Sequence, residues 1–166
     1  EGPLRRQLVL ADELNRAPAR TQSALLEAMQ EQAVTVDGQR FPLPDPFIVA
    51  ATQNPNWYSG TYKLPESQLD RFGVSMTPGY PEPETESFII DAFKDRDAVE
   101  RVSQVASPEE ITAVRKRIVS IAMKEEVRNF AVSLAQATRE SKFFQHGVST
   151  RGLQHIIRLA QAQAAR

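Results

Sequence analysis

The sequence predicts an α/β fold in its first half and an all-α fold in its second. Three observations carry this. Two short apolar runs, Leu8-Val9-Leu10-Ala11 and Phe47-Ile48-Val49-Ala50-Ala51, read as strands of a parallel sheet, the first of them buried on both faces. Between them lie a stretch of helical periodicity and a stretch of strict alternation around Asp37-Gly38. After Pro78, Gly79, Pro81 and Pro83 no convincing strand remains, and the apolar spacing is helical to the end. The domain boundary falls near Gly79-Tyr80-Pro81, which divides the chain into residues 1–79 and 80–166.

Each element has a local reason. Gly2-Pro3 opens a loop before a strand at about 7–12. Pro18 stands where a helix can start, because the N–H it lacks would be unpaired there anyway. Residues 18–31 place Ala24, Leu25, Leu26, Ala28 and Met29 among Gln22, Glu27, Gln30 and Glu31, a helix with one buried face. Ala33-Val34-Thr35-Val36 and Gln39-Arg40-Phe41 flank Asp37-Gly38, a strong hairpin signal. Pro42, Pro44 and Pro46 end the hairpin. The second apolar strand runs into Thr52-Gln53-Asn54-Pro55, Pro65 can open a short helix, and Gly73-Val74-Ser75-Met76-Thr77 reads as a third strand.

Four helices are expected in the second half: about 84–94 (Phe88, Ile89, Ala92, Phe93), one opening at Ser107-Pro108-Glu109-Glu110, about 124–139, and about 149–165. The Ser-Pro-Glu-Glu start is a capping box with proline at the first helical position. Ser149 is the expected cap of the last helix.

Composition narrows the function classes. A net charge of −1 offers no electrostatic footprint for nucleic acid. With no cysteine and only His146 and His155, disulfides, thiolate metal sites and histidine metal clusters are excluded. No apolar run approaches the ~20 residues of a membrane helix, and no signal peptide opens the chain. A soluble, cytoplasmic protein is expected.

The chemistry concentrates at the end of the first strand, where Leu8-Val9-Leu10-Ala11 runs into Asp12-Glu13. Buried strands rarely end in paired acids, because an unpaired buried charge is costly, and ligands of open α/β sheets bind at strand carboxyl ends. One carboxylate suits Mg²⁺, held directly or through water, and the other suits a base for an attacking water. This is a Walker B pattern. The bland alternative is a strand end whose acids cap the next helix. Asn54 follows the second strand and so occupies the same kind of place.

In combination these motifs resemble the MoxR family of AAA+ ATPases. The resemblance rests on Leu-Ala-Asp-Glu-Leu-Asn-Arg-Ala-Pro (10–18), Thr-Gln-Ser-Ala-Leu-Leu-Glu-Ala-Met-Gln-Glu (21–31), the 34–41 hairpin, Ala-Thr-Gln-Asn-Pro (51–55), Leu-Pro-Glu-Ser-Gln-Leu-Asp-Arg-Phe (64–72) and Gly-Val-Ser-Thr-Arg-Gly (147–152). It implies part of a P-loop NTPase/AAA+ parallel sheet with a hairpin insertion, followed by an all-α lid. It also implies roles. Asp12 resembles the Walker B acid for Mg²⁺, and Glu13 the base that polarises the attacking water. Asn54 resembles sensor 1, whose amide bridges that water and the γ-phosphate without adding charge. Arg71 resembles the arginine finger that reaches a neighbouring subunit's nucleotide, a task suited to a permanently charged fork of donors. Arg151 resembles the lid residue sensor 2, in cis or in trans. The hairpin resembles the pre-sensor 1 insertion.

Other residues stay open at this level. Arg71 could equally pair with Asp70 or Glu66. Arg16 could reach a nucleotide or a neighbour, or be structural. Trp57 and Tyr58 could form an interface patch or pack their own loop. The two histidines and the basic residues of the helical half read as ordinary surface or core.

A P-loop requires G-x-x-x-x-G-K-[ST] to cradle phosphates. None of the seven glycines, Gly2, Gly38, Gly60, Gly73, Gly79, Gly147 and Gly152, fits that spacing. The expectation is therefore a fragment of a longer ATPase, inactive alone, whose full form binds ATP and Mg²⁺ and works as a ring, a hexamer by resemblance. The resemblance also implies a chaperone-like role on client proteins, including partners with von Willebrand factor A domains. The rivals are a DNA-acting motor and a non-catalytic scaffold. Asp37 and Glu31 beside Arg40 speak against a DNA-tracking hairpin, and the joint presence of Asp12, Glu13, Asn54 and Arg71 speaks against a scaffold.

Overall fold

Strand β1 (Leu8–Ala11) and strand β4 (Ile48–Ala51) pair in parallel, with Leu8 opposite Ile48 and Ala11 opposite Ala51. A computed structural model provides the coordinates, which describe residues 3–54, 64–92 and 102–166. Trp57, Tyr58 and Phe93 lie outside the described residues. Strands β2 (Ala33–Val36) and β3 (Gln39–Pro42) form the expected antiparallel hairpin, Val36 facing Gln39. Its turn residues Asp37 and Gly38 have φ of 50° and 77°. Positive φ at both central positions is the condition for the turn that matches strand twist, and glycine meets it at no steric cost.

Helix α1 (Ala19–Glu31) follows Pro18, which stands one position before the helix with φ −56° and ψ 148°. Its inward face presents Gln22, Leu25, Leu26 and Ala28. Leu14, Leu25, Leu26 and Leu64 form the buried core, against which Leu4, Ala11, Val49, Ala51, Leu69 and Phe72 pack. Burying one such leucine contributes about 1.5–3 kcal/mol. That core clamps α1 to one face of the β1–β4 pair and brings the short helix α2 (Glu66–Leu69) beside it.

Further along lie α3 (Pro83–Ala92), α4 (Pro108–Val119), α5 (Glu125–Glu140) and α6 (Thr150–Ala164), close to the four helices the spacing predicts. The chain forms two compact units. One joins Glu1–Gly73 with Pro108–Arg166, and the other is Val74–Ser107. Within the first, α6 packs against α4 and α5. Gln161 binds the carbonyl of Ile121 at 2.8 Å.

Two strand expectations are corrected. Residues 73–77 form no strand. An extended run becomes a strand only where a ladder partner accepts its backbone groups, and here Val74 and Met76 are 57% and 78% exposed. Among the described residues only one face of strand β1 is covered. Leu8 and Leu10 are 65% and 68% exposed, whereas Ala11 packs on the core. Alternate residues point to opposite sides of a strand, and α1 covers one side.

Candidate nucleotide-hydrolysis site

The parallel register sets Ala11 beside Ala51, so Asp12 and Thr52 leave their strands side by side. Thr52 is the junction of the two strand ends. Its N–H donates to the Ala11 carbonyl at 3.1 Å and its carbonyl accepts from Leu14 N–H at 2.9 Å. Its hydroxyl accepts the Glu13 N–H at 2.8 Å and donates to Asp12 Oδ1 at 2.6 Å. One hydroxyl thereby binds both consecutive acids, using its single donor on a carboxylate.

Glu13 turns the chain with φ 47° and ψ 48°, a left-handed conformation costing a non-glycine residue roughly 1–2 kcal/mol. The bond from its N–H to Thr52 helps hold that turn. The following 3₁₀ turn (Leu14–Arg16) is fastened from behind by Gln22, whose Nε2 donates to the carbonyls of Leu14 and Ala17 at 3.2 and 3.0 Å. Asn15, buried at 8% exposure, donates from Nδ2 to the Asn54 carbonyl at 3.0 Å. The structure thus brings Asp12, Glu13 and Asn54 to one edge of the sheet. Arg16 forms an ion pair with Glu13 at 3.2 Å, which gives that arginine a partner in its own chain.

The two other arginines singled out by sequence lie on different elements. Arg71 donates from Nη1 to the Leu26 carbonyl at 3.0 Å, so it pairs with a carbonyl of α1 rather than with Asp70. It borders a cavity of about 330 Å³ lined by Ser23, Glu27, Gln30 and Gln68. Asp70 instead faces α6. The Ser149 hydroxyl lies 2.7 and 2.8 Å from its two oxygens, and Arg151 Nη1 lies 3.8 Å from Oδ2. Ser149 is also the expected cap, accepting the Gly152 N–H at 2.9 Å.

The approach to α6 is built by close packing. A Cβ on Gly147 would overlap the Arg139 backbone, so only glycine fits there. Arg139 Nε donates to the Val148 carbonyl at 2.8 Å, and Val148 N–H donates to Thr138 at 3.0 Å. These bonds fasten the 147–148 loop to the end of α5.

Sequence reasoning assigned no role to Thr52 or Asn15, although both lie inside quoted motifs. The available signal was a hydroxyl immediately after the second apolar strand, at the position equivalent to Asp12. The chemistry of Mg²⁺ fits what is present. That ion keeps several waters and takes one or two carboxylates together with substrate phosphates. Asp12 offers an exposed, hard oxygen donor. No group of three or more His, Cys, Asp or Glu residues positioned to hold a metal exists among the described residues. No helix among the described residues is long and apolar enough to cross a membrane.

Residues 1–74 match the ATPase family associated with various cellular activities (AAA). The sheet end bearing Asp12, Glu13 and Asn54 lies within those matched residues. Over 163 residues, 98% of its length, the chain is 41% identical to the uncharacterized protein YeaC of Bacillus subtilis, spanning 51% of it. Over 89 residues, 54% of its length, it is 56% identical to the chaperone MoxR1 of Mycobacterium tuberculosis, spanning 24% of it. A crystal structure of a protein assigned as an ATPase from Cytophaga hutchinsonii superposes with a TM-score of 0.88 at 34% identity, covering 99% of this chain and 53% of that one. An MCM homolog from Methanopyrus kandleri shares the fold alone, with a TM-score of 0.61 at 22% identity, covering 95% of this chain and 32% of that one. Together these similarities support a MoxR-type AAA+ ATPase. It spans about half the length of YeaC.

Proposed function

We propose that this chain is part of a protein that hydrolyses ATP and couples that hydrolysis to chaperone-like remodelling or activation of partner proteins. The observation that carries the reading is the sheet edge where Asp12 and Glu13 emerge beside Thr52 and Asn54, with Asp12 bound through a hydroxyl at 2.6 Å and exposed to solvent. In this reading residues 1–79 belong to the α/β core and 80–166 to the lid.

Asp12 holds Mg²⁺, directly or through water, and Glu13 accepts a proton from the attacking water. Mg²⁺ held there would supply neutralisation of the charge developing on phosphate oxygens. For Glu13 to act, its carboxylate exchanges Arg16 for that water. Asn54 orients the water through its amide. Arg71 serves a neighbouring subunit in a ring, taken to be a hexamer, and leaves the Leu26 carbonyl to do so. Arg151 reads nucleotide from the lid. Partners with von Willebrand factor A domains and a cytoplasmic location belong to the same proposal. The 166-residue chain, without a phosphate-cradling glycine loop in its sequence, binds ATP poorly and does not turn it over alone.

A DNA-acting motor is the weaker reading. The single arginine of the hairpin, Arg40, binds the Glu31 carbonyl at 3.3 Å and its carboxylate at 3.5 Å, whereas DNA tracking calls for several free cations. The deciding experiment is steady-state ATP turnover of the full-length protein, wild type against Glu13→Gln, with nucleotide binding measured in parallel. Turnover lost with binding kept is the expected result. Equal turnover in both proteins would remove Glu13 as the base.

A further inference from the structure

We propose that Thr52 is a positioning residue for the hydrolytic site, setting the direction of both acids through one hydroxyl. The inference rests on the reading of Asp12 and Glu13 given above. Its warrant is the geometry. Asp12 and Glu13 are consecutive, so no regular strand could aim both at one substrate, because successive side chains leave a strand on opposite sides. The chain solves this by leaving the strand after Ala11 and turning at Glu13, whose φ is 47°. Thr52 supports the turn from the neighbouring strand. It accepts the Glu13 N–H at 2.8 Å and engages Asp12 Oδ1 at 2.6 Å.

The direction of the hydroxyl proton matters. The Glu13 N–H can only donate, so the threonine oxygen accepts there and its single proton goes to Asp12. The donor thus takes one of the carboxylate's roughly four acceptor sites on its two oxygens, and the others can face a cation. A hydroxyl does this without adding charge, whereas a lysine or arginine at the same place would neutralise the carboxylate and compete with Mg²⁺. The backbone of Thr52 adds its own two bonds, to Ala11 and Leu14. A substitution that keeps the backbone therefore isolates the role of the hydroxyl.

The test compares Thr52→Val and Thr52→Ser in the full-length protein. Valine keeps the shape and removes both hydroxyl bonds. Serine keeps the hydroxyl. Thr52→Val is expected to lower kcat by about 10- to 100-fold, the worth of a hydrogen bond to a charged group, with KM for ATP changed less than about threefold. Thr52→Ser is expected to restore kcat to within about threefold of wild type. Two readouts do not depend on turnover. Residue-resolved hydrogen exchange should show the Glu13 amide exchanging at least about tenfold faster in Thr52→Val than in wild type, with the Leu26 amide in α1 unchanged. Mn²⁺ titration of the nucleotide-bound Glu13→Gln protein should show weaker half-saturation when Thr52→Val is added.

Unchanged Glu13 exchange in Thr52→Val overturns the proposal, as does a serine variant as slow as the valine one. A wild-type protein that binds ATP without hydrolysing it overturns the assignment of Glu13 instead. The exchange and Mn²⁺ measurements still decide the role of Thr52 in that case.

Discussion

Among the described residues, Asp12 and Asp70 are each held by a hydroxyl, and their surroundings differ in charge. Asp12 takes its hydroxyl from Thr52 at 2.6 Å and stays exposed. Asp70 takes its hydroxyl from Ser149 and has Arg151 Nη1 3.8 Å away. Asp12 therefore keeps its charge available to a cation, whereas Asp70 has much of its charge balanced within the protein. The first arrangement suits a ligand site, and the second suits a fastener between the segment bearing Arg71 and the first turn of α6. A carboxylate's neighbours, rather than its identity, assign it to chemistry or to structure.

Substitutions can break this contrast, beginning with the largest expected effect. Glu13→Gln, next to the open aspartate, should lower turnover of the full-length protein by about 10²–10⁴ while its melting temperature stays within a few degrees. Steady-state kinetics and a thermal melt together check this. At the fastener the order reverses. Asp70→Ala leaves the Ser149 hydroxyl without its acceptor and should cost about 1–3 kcal/mol of stability, measured by denaturant unfolding. Asp70→Asn keeps an acceptor and should lose less.

Ser149→Ala removes the cap of α6 and should cost about 1 kcal/mol. At about 2–4 °C per kcal/mol for a chain of this size, a calorimetric melt resolves it. The smallest effect belongs to Arg151→Gln. The 3.8 Å pair has side-chain exposures of 42% and 30%, so it contributes under about 1 kcal/mol and less still in high salt. Melts of wild type and variant should converge as salt is raised. A loss of several kcal/mol from Arg151→Gln would mean that the fastener is mainly ionic, and the contrast with Asp12 would have to be redrawn.

Much of this was legible in the residues. Pro18, Pro65, Ser107-Pro108 and Ser149 mark helix starts because their effects act within one turn. Asp37-Gly38 marks the hairpin because φ is a single-residue property. The pairing of acids with an apolar strand pointed to the sheet edge where Asp12, Glu13 and Asn54 meet. Thr52 was not legible as a partner of Asp12, since the two are joined only by the parallel register of β1 and β4. Arg71 reads in sequence as a neighbour of Asp70, yet the fold gives it the Leu26 carbonyl, a partner brought close by the packing of α1 and α2.

The sequence by itself determined the helices, the two parallel strands and the hairpin turn, the placement of two acids after an apolar run, and the resemblance to MoxR-type ATPases. Each depends on local stereochemistry or on residue types in a fixed order. The tertiary structure alone decided that Leu8 and Leu10 lie on an exposed face, that residues 73–77 form no strand, and that Thr52 holds Asp12 while Ser149 holds Asp70. These depend on contacts across about 40 and 79 residues of chain. Such partners are chosen by burial and backbone pairing summed over the whole unit, which no local window of sequence contains.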